Sequence, residues 1–139
     1  MSILKLGSSV VGIALLLGVT SAAAREASPK EVGVSRLVLA HGIDSHEPQQ
    51  PSSTFKTHDD RVYAFVELQN PTKAAGKIEV VFEPPQGAAL APITLDFGDS
   101  ARFRTWAFTR QAHAAGEWGV VVRDDKGRLL AHETFRVEN

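Results

Sequence analysis

The chain has no cysteine anywhere in its 139 residues. That absence excludes disulfides, thiol catalysis, thiolate metal sites and a lipid-modified N-terminal cysteine together. It has no excess charge of either sign: 15 Lys and Arg face 16 Asp and Glu, for a net charge of −1. A duplex nucleic acid therefore finds no cationic footprint here. Past residue 24 there is no long apolar run, and the seven prolines avoid the segments that alternate most clearly. What is present is ordinary for one globular domain, 43% apolar and 22% charged residues. That is neither a disordered nor a fibrous composition, and the length suits one core, not two.

The first 24 residues form a unit. Lys5 supplies a positive start, Val10 to Val19 an apolar run, and Ala22-Ala23-Ala24 the small residues that a signal peptidase needs, just before Arg25 and Glu26. The run is shorter than the roughly 20 residues of a spanning helix. The expectation is a signal peptide over 1–24 cleaved after Ala24, then a flexible lead-in over 25–33 and one domain over 34–139. The product is periplasmic or secreted, with no stable membrane insertion after cleavage.

From Val34 onward the apolar residues recur every second position, the period of strands. Val62, Ala64, Val66 and Leu68 share one side of a segment. Ile78, Val80 and Phe82 repeat the pattern, as do Ile93, Leu95 and Phe97, then Phe103, Thr105 and Ala107, and Trp118, Val120 and Val122. The last segment covers Leu129 to Val137, and Arg36 to Ala40 is the first. Turn chemistry separates them at Asn70-Pro71, Pro84-Pro85-Gln86-Gly87, Gly98-Asp99-Ser100 and Asp124-Asp125-Lys126-Gly127. Only Arg110 to Ala115 has the composition for a helical turn. Seven short antiparallel strands predict an all-β fold, a seven-stranded immunoglobulin-like β-sandwich, with a small β-barrel as the alternative. Residues 41–60 lack a strand pattern; an edge strand near Thr54 to Lys56, with Phe55 packed, plus a surface loop is the expectation.

Several stretches resemble a bacterial family known as domain of unknown function 2914: Arg36-Leu37-Val38-Leu39-Ala40, His46-Glu47-Pro48, Arg61 to Leu68, Arg104-Thr105-Trp106-Ala107-Phe108, Gly116-Glu117-Trp118 and Asp125 to Ala131. The chain departs from that pattern at His46, where Arg usually precedes the Glu-Pro pair, and at Phe103, where Trp is common. The resemblance implies an exported or membrane-associated β domain and brings no established activity.

The most suggestive constellation is Arg102, Arg104, Trp106 and Phe108 on one strand face. Arg beside Trp at two-residue spacing permits guanidinium stacking and suits an anionic sugar or a protein partner. The bland alternative has the arginines covering the sheet and pairing with Glu79 or Glu117. The 41–60 connection, with His46 and Glu47, is the other candidate contact surface. The tentative binding residues are therefore Arg102, Arg104, Trp106, His46 and Glu47. No cofactor motif is present, and His41, His46 and His58 lack tight metal-ligand spacing. Gly98-Asp99-Ser100 reads as a turn, because an activated serine needs a positioned His and acid. The expected function is an exported non-catalytic module that binds a protein or an envelope polysaccharide. A small metal-dependent or hydrolytic enzyme using loop histidines, and a structural accessory domain, are the alternatives.

Overall fold

The computed structural model describes residues 31–139, so the expected leader over 1–24 lies outside the described residues. Nine strands follow one another without a helix among the described residues: β1 (Gly33–Asp44), β2 (Glu47–Pro51), β3 (Thr54–Lys56), β4 (Val62–Gln69), β5 (Gly76–Glu83), β6 (Ile93–Phe97), β7 (Arg102–Thr109), β8 (Gly116–Asp124) and β9 (Leu129–Glu138). They form a four-stranded sheet in the order β2-β1-β4-β7 and a five-stranded sheet in the order β3-β9-β8-β5-β6. Consequently no described helix is long and apolar enough to cross a membrane.

The period-two pattern builds both inner faces. Val62, Ala64, Val66 and Leu68 of β4 meet Ile78, Val80 and Phe82 of β5 and Trp118, Val120 and Val122 of β8 in one buried cluster. Phe135 is its aromatic hub: Trp118 stacks on it at 5.9 Å, and Phe55 and Phe82 approach edge-on at 5.6 and 6.4 Å. The Trp118 indole N–H donates to the Ala114 carbonyl at 2.8 Å, so its polar atom is satisfied although the ring is buried.

The expected strands from β4 onward stand where alternation puts them, but the count rises from seven to nine, and the difference lies in the first half. β1 begins at Gly33 and continues to Asp44, beyond the expected Arg36–Ala40. Residues 31–33, expected within the lead-in, are engaged with the domain. Glu31 pairs with Arg128, Val32 packs on the core, and Gly33 is already in register with Gln69. Of the twenty residues expected to hold a loop and one edge strand, 47–51 form an additional strand. β2 contains Pro48 and Pro51, which it tolerates as a sheet edge. The edge strand at Thr54–Lys56 is present and buries Phe55, but it pairs parallel with β9, so the pairing is not wholly antiparallel. Residues 110–115 form no helical turn. Thr109 Oγ1 accepts from the Gln111 N–H, His113 N–H donates to the Gln111 carbonyl, and Gly116 enters β8 at φ 134°.

Tight turns set the register. At the β8–β9 hairpin, one Asp124 carboxylate oxygen accepts from the N–H groups of Lys126 and Arg128 at 3.0 and 2.8 Å, and Gly127 takes φ 80°. At the β1–β2 hairpin, Asp44 faces Glu47 directly, leaving Ser45 and His46 as a two-residue loop. Both have positive φ, 50° and 58°, the signature of a type I′ turn built without glycine.

Candidate functional site

The outer face of the four-stranded sheet is where the side chains with chemistry meet. Pairing aligns Arg36 with Glu67 and Glu67 with Arg104 in one row across β1, β4 and β7. Val38, Phe65 and Trp106 form the next row, Tyr63 and Phe108 continue it along β4 and β7, and Arg102 sits opposite Gln69 at the other end. Alternation thus places Arg102, Arg104, Trp106 and Phe108 on this face, as their spacing predicts.

Glu67 is the centre. It is 7% exposed, in a strand otherwise apolar except at its end. Its Oε2 accepts from Arg102 Nη2 at 2.9 Å, Arg104 Nε at 3.1 Å and Arg36 Nη2 at 3.4 Å, while Oε1 accepts from the Ser35 hydroxyl at 3.2 Å. The Arg102 hydrogen bond is the chief cause that holds its carboxyl well below the usual range, at about 2, against the opposing push of burial. A second carboxylate arrives on the β1–β2 hairpin. Glu47 accepts from Arg104 Nη1 at 2.7 Å on one oxygen and from Arg36 Nη2 at 3.1 Å on the other. Three guanidiniums therefore share two carboxylates.

Aromatic rings line the same face. Arg36 lies over the Phe65 ring at 4.7 Å, and Arg61 over Phe108 at 4.7 Å. His46, at the hairpin tip, meets Trp106 edge-on with centroids 5.5 Å apart. Ser45, His46, Arg102, Phe103 and Arg104 line an open depression of about 520 Å³. Arg102 is 61% exposed at its side chain and engages Glu67 through a single nitrogen, so most of its donors face solvent. Guanidiniums keep their protons at ordinary pH. Forked donors beside aromatic rings are groups chemically suited to hydrogen-bonding an anion.

The five sequence candidates, Arg102, Arg104, Trp106, His46 and Glu47, are brought together here. Arg36 and Glu67 were missed, although a charge inside the apolar Val62–Leu68 run was the signal for Glu67. The expected partners of the arginines are corrected: Glu79 and Glu117 belong to β5 and β8 in the other sheet, and the arginines pair with Glu67 and Glu47. The loop histidines are not brought together. His41 packs on Phe55 at 4.6 Å and stands 3.8 Å from Asp59, whereas His46 rests on Trp106. Among the described residues no three His, Asp or Glu side chains group closely enough to hold a metal. Gly98-Asp99-Ser100 forms part of the connection between β6 and β7, and His132 lies on β9.

The family model of DUF2914, a protein of unknown function, matches residues 85–137. The family resemblance visible in the sequence is thereby shown over those residues, which hold Arg102, Arg104 and Trp106. No curated protein matches the chain. Among solved structures, a GH3 β-glucosidase from Bifidobacterium adolescentis is similar at 12% identity and a TM-score of 0.51, over 77% of this chain. This chain spans 17% of that enzyme's length, and at such identity the likeness is one of fold alone.

Proposed function

We propose that this protein is an exported, non-catalytic β module that works by binding an anionic partner, a protein or an envelope polysaccharide, through the outer face of its four-stranded sheet. One observation carries the proposal: among the described residues three arginines, Arg36, Arg102 and Arg104, share two carboxylates on this face, and Arg102 and Arg104 line an open depression with His46, whose ring meets Trp106. Arg and Trp are the residues that most often anchor interfaces, because each offers a large contact area together with directed donors. Export is supported by Lys5, the apolar run to Val19 and Ala22-Ala23-Ala24. We read the two sheets, β2-β1-β4-β7 against β3-β9-β8-β5-β6, as an immunoglobulin-like sandwich, a scaffold that leaves its outer faces free for recognition.

Crosslinking in the native envelope tests the proposal, run on wild type, Arg102→Ala and Trp106→Ala. Arg102 is preferred to Arg104 because Arg104, like Arg36, bridges Glu67 and Glu47, whereas Arg102 pairs with Glu67. Wild type is expected to capture an acidic partner, with recovery falling about fivefold or more in each folded variant, the scale of an interface anchor. Equal recovery by all three removes this face from the account.

A further inference from the structure

Among the described residues the two sheets have four edge strands, and three are blunted. β2 carries Pro48 and Pro51, β3 has three residues, and β6 has five and follows Pro92. β7 has none of these devices. Its eight residues run in unbroken register with β4, contain no proline, and point no charge inward, since Phe103, Thr105, Ala107 and Thr109 form its inner side. A long plain edge is a template for another strand.

The phase of its hydrogen bonds is fixed by Asn70, whose N–H donates to the Ala101 carbonyl at 2.7 Å. Alternation from that bond turns the backbone groups of Phe103, Thr105, Ala107 and Thr109 toward β4 and those of Arg102, Arg104, Trp106 and Phe108 outward. Among the described residues no hydrogen bond engages those outward groups.

We propose that β7 pairs antiparallel with β7 of a second copy, about a two-fold axis at Thr105, joining two four-stranded sheets into one of eight. The sequence is complementary to itself in that register. Only even-numbered residues can exchange bonds, and within Arg102–Thr109 an axis at Thr105 lets all four of them (102, 104, 106 and 108) pair even with even, whereas an axis at Trp106 leaves Arg102 without a partner in the strand. The Thr105 axis sets Arg102 opposite Phe108 and Arg104 opposite Trp106 of the second copy, so every cation faces an aromatic ring. The same sheet face already stacks arginine on phenylalanine twice, at Phe65 and Phe108. Phe108 is 40% exposed, one of two large apolar side chains so exposed among the described residues. The register brings it beside the depression at Arg102 and Phe103. A closed two-fold contact also ends after two copies, unlike an open chain of edges.

The lack of native cysteine makes the test clean. Thr105→Cys places one thiol at the axis, in a non-hydrogen-bonded pair where side chains are closest. Under mild oxidation it is expected to give a disulfide-linked dimer, whereas Phe103→Cys and Ala107→Cys link to each other when mixed and not alone. Sedimentation of the wild-type protein supplies the second readout: a dimer at roughly 100 µM, reverting to monomer in Phe108→Pro, whose lost N–H points away from β4. A wild-type monomer at that concentration overturns the proposal, as does a dimer in which Thr105→Cys forms no link.

Discussion

A carboxylate that accepts three guanidinium bonds on one oxygen loses them when it is protonated, and Glu67 is that group. Its folded value near 2 lies below the ordinary 4.5, so the stability it contributes is fully present above about pH 4.5 and disappears as pH falls toward 2. Thermal midpoints recorded from pH 6 to 2 are expected to drop through that window in wild type and to run flatter in Glu67→Gln. An equally steep acid limb in the variant would place the effect elsewhere. Removing Glu67 altogether, as Glu67→Ala, is expected to cost about 1–3 kcal/mol in denaturant melts, because its arginines can turn partly to water. Glu47→Ala, at a carboxylate 39% exposed, is expected to cost less than about 1 kcal/mol. The sequence displays Arg102, Arg104 and Trp106 at strand spacing, which is a local fact. It does not display that Arg36 and Glu67 share their row, because that depends on pairing residues 31 and 37 positions apart.

The β8–β9 turn was legible down to its glycine, since Asp-Asp-Lys-Gly encodes a carboxylate that caps its own turn and a left-handed residue to close it. Asp124→Ala removes three bonds from that carboxylate, to Lys126 N–H, Arg128 N–H and Arg128 Nε, and is expected to cost about 2 kcal/mol in chemical denaturation. Those bonds hold the Asp124 carboxyl below its usual range even though burial pushes it upward. The β1–β2 hairpin was not legible, for the opposite reason: Ser45 and His46 adopt left-handed conformations that their identities disfavour, and prolines mark β2 as unlike a strand. That hairpin nevertheless delivers Glu47 to Arg36 and Arg104 and His46 to Trp106. Ser45→Gly is expected to relieve the backbone and stabilise the fold by roughly 0.5–1 kcal/mol. A lower melting temperature in that variant would mean the serine hydroxyl, 3.4 Å from Asp44, outweighs the relief.

At the scale of the molecule, the two sheets divide the work. Their inner faces make one aromatic and aliphatic core around Phe135, which is why period-two alternation alone places most strands correctly. Trp118→Ala is expected to cost about 3–5 kcal/mol, much of the stability of a domain this size, and to lower cooperativity in thermal unfolding. The outer face of the four-stranded sheet buries a charged network that contributes little to the core and presents donors outward. Titrating the ¹⁵N-labelled protein with oligogalacturonate and, separately, with a Glu-rich peptide, following amide shifts, reads out anion binding by this face residue by residue. Shifts concentrated at residues 36, 45–47 and 102–106, weakened by salt, are expected with at least one of the two ligands. Absence of shifts there with both, up to about 10 mM, well above the range of even weak specific binding, would contradict that binding.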